Sequence, residues 1–98
     1  MVLRNNMVFV YPAIFHKTEE GKYEGVFPDL EGCEGKGDTL DDAIEDANAA
    51  LYDWIYVELT EFEGILPGRS EADDLTLKEG EILRNISVNI RFTDGWDE

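Results

Sequence analysis

The sequence predicts an α+β fold, a two-layer βββαβ domain in which an antiparallel sheet packs on one long helix. Three observations carry this. Residues 8–16, 23–27 and 82–92 are rich in apolar, β-branched and aromatic residues, alternating in the last, as strands are. Leu40, Ala43, Ile44, Ala47, Leu51, Trp54, Ile55, Leu59 and Phe62 recur at helical spacing. Short turn segments join the first three strands and make them antiparallel neighbours.

Residues 1–7 read as a lead-in. In residues 8–16, VFVYPAIFH, both alternating sets are apolar: Val8, Val10 and Ile14 on one face, Phe9, Tyr11, Ala13 and Phe15 on the other. Such a strand is buried on both sides. Pro12 has no amide hydrogen, so it marks a bulge or a position facing an open edge. KTEEGK, residues 17–22, is a hairpin loop bending at Gly21, and residues 23–27 form the returning strand. Asp29 to Gly32 turn the chain, with Gly32 free to take a positive φ. Residues 33–36 form a short third strand, kept slim by Gly35 and Gly37.

A helix then runs from Thr39 to about Phe62. Thr39 and Asp42 resemble a capping box with Asp in place of Glu or Gln, and Asp41 and Asp42 put negative charge where the helix dipole favours it. Early alanines let the helix approach the sheet closely, while Trp54, Ile55 and Phe62 fill the wider end. Gly64 suits the C′ position and Pro67 blocks continuation. Residues 67–81 are a polar connection with a turn at Glu79–Gly80. In the last strand Ile86, Val88, Ile90 and Phe92 point one way and Ser87, Asn89 and Arg91 the other.

The chain of 98 residues carries 23 acids and 8 bases, a formal charge of −15. This argues against direct contact with nucleic acid or an anionic membrane, which need a cationic footprint. It favours a basic partner, or simply solubility. No Lys, Arg or His occurs between Lys36 and Arg69, whereas residues 38–63 hold nine acids. Asp41/Glu45 and Asp42/Asp46 pair like charges at i,i+4, and Glu58, Glu61 and Glu63 lie where the dipole disfavours anions. Helix stability does not account for this pattern; something else tolerates or requires it, and a cationic partner surface is the sharper candidate. One cysteine, Cys33, forms no internal disulfide, no secretory segment follows Met1, and no run is long enough to span a membrane. The expected compartment is the cytoplasm.

One helix covers one face of a sheet, so a first strand apolar on both faces needs a second protein surface. The expectation is a homodimer using the first strand or the face the helix leaves open, with Phe9, Tyr11, Ala13 and Phe15 at the interface.

Catalytic signals are weak. His16, the sole histidine, has no Ser or second His at a recognisable spacing, and reads as a solvated strand-end residue. Cys33 sits between Glu31 and Glu34, which raise rather than lower a thiol pKa, so it reads as a small buried residue. Asp42, Glu45 and Asp46 cluster without the spacing of a known metal loop. Gly35-Lys36-Gly37-Asp38 is too short for a phosphate loop. No catalytic residue, cofactor or metal is expected. Tyr52 and Tyr56 on the helix suit an interface.

From Tyr11 to Leu51 the chain reads YPAIFHKTEEGKYEGVFPDLEGCEGKGDTLDDAIEDANAAL. Tyr-Pro-Ala in a strand, a Gly-containing hairpin, Phe-Pro-Asp-Leu-x-Gly-Cys, Gly-Asp-Thr-Leu-x-x-Ala and an alanine-rich helix follow in order. LPGRSEADDLTLKEGEIL and an alternating strand come later. In this order and spacing the chain resembles the N-terminal domain of the HicB family of antitoxins, over residues from about 7 to 92, within a single domain of residues 1–98. The resemblance implies a partly RNase H-like domain that dimerises and neutralises HicA, a small basic toxin that cleaves messenger RNA. It loosely implies partner contacts at Phe27, Pro28, Asp29 and Leu30 and at the helix acids Asp42, Glu45, Asp46 and Asp53. The bland alternative is that Phe27 and Leu30 are core and residues 28–32 only a turn. Many relatives carry a C-terminal DNA-binding module. The residues after Phe92 leave no room for one and have no basic patch, so direct operator contact is not expected. Two other readings stand beside the antitoxin: an acidic homodimeric module for an unrelated partner or small ligand, and a small metal-dependent nuclease or hydrolase.

Overall fold

The spine of the sheet is β1 (Asn5–Lys17). On one side it pairs with β4 (Ile82–Phe92) without a break, from Asn5↔Phe92 to Phe15↔Ile82. On the other it pairs with β2 (Tyr23–Val26) from Ile14↔Val26 to Lys17↔Tyr23, and β2 pairs with β3 (Glu34–Gly37). All pairs are antiparallel and the order is β3-β2-β1-β4. The computed structural model describes residues 5–61, 66–68, 70–71 and 74–92. The expected helix end at Phe62 and Gly64, and the tail after Phe92, lie outside these residues.

Residues 5–7, expected as lead-in, extend β1, because β4 is long enough to pair with them. Pro12 causes no bulge. β2 reaches only as far as Ile14, so at Pro12 the strand has an open edge, where a missing N–H is tolerated. Gly21 and Gly32 take positive φ values of 86° and 81°, closing the hairpin and the β2–β3 turn. That turn is held by three backbone bonds: Leu30 N–H to Phe27 C=O, Cys33 N–H to Leu30 C=O, and Phe27 N–H to Cys33 C=O.

The helix α1 (Leu40–Glu61) starts one residue after Thr39. Thr39 Oγ1 accepts from the amide of Asp42 at 3.1 Å, and its carbonyl accepts from Ala43. Thr39 is thus the N-cap. Ala43, Ala47, Leu51 and Ile55, spaced by four, are buried at 0% exposure and form the ridge that meets the sheet. The helix approaches closely because β3 offers no side chains there. A Cβ on Gly35 would lie 2.4 Å from the Ala47 nitrogen, and one on Gly37 2.4 Å from the Ala43 nitrogen.

The two faces of β1 are the reverse of the dimer expectation. Tyr11, Ala13 and Phe15 are buried in the core with Phe9 packed against it, together with Ile86, Val88 and Ile90 of β4. Tyr11, Ala13 and Phe15, with Phe9 beside them, are therefore core side chains rather than an exposed patch. The cause is nonlocal. Phe15 stands opposite Gly25, and a Cβ on Gly25 would lie 2.3 Å from the Phe15 ring, so the missing side chain at Gly25 makes room for the ring on this face. Val8, Val10 and Ile14 take the other face, with Val26 and Leu83 beside Ile14.

Candidate partner-binding surface

The residues expected at the β2–β3 turn part company. Phe27 and Leu30 are 3% and 1% exposed and belong to the core, which corrects their assignment to a partner surface: a short turn with two apolar residues turns both inward beneath the helix. Pro28 is exposed. Asp29 is half-buried; one oxygen accepts from the Ser70 amide at 2.8 Å and the other from Ser70 Oγ at 2.6 Å. Tyr11 Oη donates to the Pro67 carbonyl at 2.6 Å. Asp29 and Tyr11 thus clasp the chain that follows the helix.

The helix acids Asp42, Glu45, Asp46 and Asp53 are all exposed. Helical spacing divides them. Asp46, Asp53, Ala50 and Val57 lie on the flank facing β3, where Asp46 accepts from the Lys36 amide at 2.9 Å. Asp42 is next to this flank, its Cβ close to Gly37. Glu45, Tyr52 and Tyr56 lie on the flank toward β4, where Asn48 donates to the Ser87 carbonyl at 2.8 Å. Tyr52 and Tyr56 stack with ring centres 6.1 Å apart and planes within 9°, and both are exposed. The helix thus presents a carboxylate flank and an aromatic flank.

A groove of about 480 Å³ runs between α1 and the β2–β3 turn, lined by Gly32, Cys33, Glu34, Ala50, Asp53, Trp54, Val57 and Glu58. Trp54 packs partly on the core and donates Nε1–H to the Glu31 carbonyl at 3.3 Å. Cys33 is buried, and burial, with the Glu34 charge second, pushes its thiol up to about 11. Sequence reasoning singled out Asp53 here and missed the groove itself. The available signal was Ala50 and Val57, apolar residues seven apart and off the main stripe.

A larger cleft at the hairpin end mixes both signs of charge. His16 lies 3.6 Å from Glu24 and Lys22 lies 3.8 Å from Asp38, all at the surface, where such pairs contribute little. Among the described residues no three His, Cys, Asp or Glu side chains converge as metal ligands would, and no helix is long and apolar enough to cross a membrane.

A four-stranded antiparallel sheet under one long acidic helix, with carboxylate and aromatic flanks on that helix, makes an α+β fold. The model of the HicB-like antitoxins of bacterial toxin–antitoxin systems matches residues 11–90, and the chain belongs to that family. It is 26% identical to UPF0150 protein ssr1765 of Synechocystis sp., over 85% of this chain and 99% of that one. Among solved structures it is similar to the N-terminal domain of the Burkholderia pseudomallei antitoxin HicB, with TM-score 0.69, 25% identity and coverage of 84% and 100%. It is also similar to a chain of a HicA3–HicB3 toxin–antitoxin complex, with TM-score 0.61, 30% identity and coverage of 80% and 95%.

Proposed function

We propose that this chain neutralises a small basic toxin of HicA type by protein–protein contact, laying the acidic and aromatic surface of α1 over the toxin's cationic RNA-binding face. The carrying observation is the exposed acid series Asp41, Asp42, Glu45, Asp46 and Asp53, in a stretch from Lys36 to Arg69 with no intervening base. Membership of an antitoxin family and likeness to a chain solved in a HicA3–HicB3 complex support the reading. A long-range field of one sign steers an oppositely charged partner and raises its on-rate. Pro28, Asp42, Glu45, Asp46 and Asp53 are the proposed contacts, with Tyr52 and Tyr56 as aromatic anchors. The site of action is the cytoplasm, and the mechanism is occlusion without catalysis.

The second proposed partner is another copy of the chain. Val8 is 61% and Val26 45% exposed, with Val10, Ile14 and Leu83 half-buried on the same sheet face. A symmetric pair is the commonest way to bury such a face.

Co-expression with a small basic toxin encoded beside this chain tests the antitoxin role. The expected outcome is restored growth and a complex that copurifies, both lost on Asp42→Lys, Glu45→Lys and Asp53→Lys together. Absence of both rescue and complex with the unaltered chain overturns the proposal.

A further inference from the structure

We infer that the groove between α1 and the β2–β3 turn seats a basic side chain of a protein partner, its aliphatic stem on Trp54 and Val57 and its charged end against Asp53, Glu58 and Glu34. The inference rests on the reading of the partner as a basic protein, and it names where that partner is anchored.

The groove has an apolar floor and an acidic rim. Trp54, Val57 and Ala50 form one wall, Gly32 and Cys33 the other, and among the described residues no cation lines it. Arginine and lysine match this arrangement, since each joins an apolar stem to a charged head, and the indole is the aromatic ring that attracts a cation most strongly. The indole is held in place, its edge bonded to Glu31 and its body packed on the core. A rigid aromatic wall loses little freedom on binding.

Other occupants fit less well. An anion would face the carboxylates of Glu34, Asp53 and Glu58. A neutral apolar group would strip water from those carboxylates and return no hydrogen bond. A bare metal ion needs ligands converging on a point, and among the described residues no such group exists. A large cation that carries its own apolar stem meets both parts of the lining. The groove's volume of about 480 Å³ is within the roughly 300–1,000 Å³ of small-molecule sites and admits one such side chain with its flanking backbone. The acids at the start of α1, by contrast, are exposed and line neither this groove nor the cleft at the hairpin end.

The test titrates the isotope-labelled full chain with three end-blocked pentapeptides, Gly-Gly-X-Gly-Gly, where X is arginine, citrulline or norleucine, and follows NMR shifts. The arginine peptide is expected to shift the Trp54 indole N–H and the amides of Gly32, Glu34, Asp53 and Val57. Citrulline and norleucine should bind roughly tenfold or more weakly, the loss of one charge-assisted hydrogen bond. Val57→Lys, a change at an exposed helix position, should abolish those shifts without altering the melting temperature. Equal binding of arginine and citrulline, or shifts spread along the helix acids instead of the groove, would overturn the inference. The neighbouring basic toxin separates this inference from the functional reading. If the toxin binds the unaltered chain and Val57→Lys equally well, the groove inference falls and the antitoxin reading stands. If the toxin does not bind the unaltered chain, the antitoxin reading falls and the peptide titration alone decides the groove.

Discussion

Gly35 has no space for a methyl group. A Cβ there would meet Ala47 nitrogen at 2.4 Å and Ala47 Cα at 2.6 Å, both parts of a helix backbone that cannot turn aside. Gly35→Ala should push α1 off β3 and destabilise the fold by about 1–3 kcal/mol, the usual scale of overpacking; the midpoint of urea unfolding reads this directly. Cys33 offers a second measurement. Its thiol is pushed from 9.0 to about 11, by burial first and then by Glu34. The thiolate is the nucleophile, so alkylation of the folded chain at pH 8–9 should be much slower than that of a free thiol, its rate rising until about pH 11. Because the unfolded chain releases this proton first, folding stability should hold below pH 9 and fall between pH 9 and about 11. Alkylation as fast as in an unfolded control would show that Cys33 is not shielded.

At the scale of elements, the β2–β3 turn does more than reverse the chain. It turns Phe27 and Leu30 inward, supplies the Glu31 carbonyl to Trp54, and holds residue 70 through Asp29. The carboxylate of Asp29 accepts two bonds from Ser70; an amide there can still accept from the Ser70 N–H and donate to its hydroxyl oxygen, but without the charge that strengthens both bonds. Asp29→Asn should therefore cost about 1–2 kcal/mol and raise the hydrogen-exchange rate of the Ser70 amide while leaving the core strands protected. Equal loss of protection along β1 and β4 would instead mean that the clasp carries the whole fold. α1 is about 33 Å long at 1.5 Å per residue, and its outward flanks carry the proposed contacts. The helix, its cap and its acids were legible from spacing alone, because a period of 3.6 and an N-cap are local properties. The separation of its acids into two flanks was equally legible. The service of Asp46 to the Lys36 amide was not, because it depends on which strand lies alongside.

For the molecule as a whole, the distribution of charge and apolar surface sets the two proposed contacts on two faces. The helix side is acidic, and the opposite sheet face carries Val8, Val10, Ile14, Val26 and Leu83. If two copies join through the sheet face, each brings a net charge of −15, and their repulsion opposes association. Salt shortens the screening length from about 10 Å at 0.1 M to about 3 Å at 1 M. The dimer should therefore tighten as salt rises, whereas binding of a basic toxin should weaken. Sedimentation equilibrium at both salt concentrations checks this. Val8→Ser with Val26→Ser should favour the monomer; Phe9→Ser with Phe15→Ser should unfold the chain, since Phe15 lies in the core. A monomer at every salt concentration would show that the sheet face is not a subunit contact.

By itself the sequence determined the elements, their order, the last strand from Ile82 to Phe92 and the cap at Thr39. It also sorted β1 into its two sets, because side chains alternate at a period of two whatever surrounds them. Which set faces the helix was decided only by tertiary structure. Both sets are apolar, so hydrophobicity could not choose; the helix-side face is the one where Gly25 leaves room for the Phe15 ring and where Ala47 and Ala43 rest on the bare surfaces of Gly35 and Gly37. The same holds for Phe27 and Leu30, whose type suits an anchor or a core equally, until the three backbone bonds of their turn direct them inward. The groove also belongs to the tertiary structure alone, because Glu34 and Val57 share no sequence neighbourhood and meet only where a helix crosses the edge of a sheet.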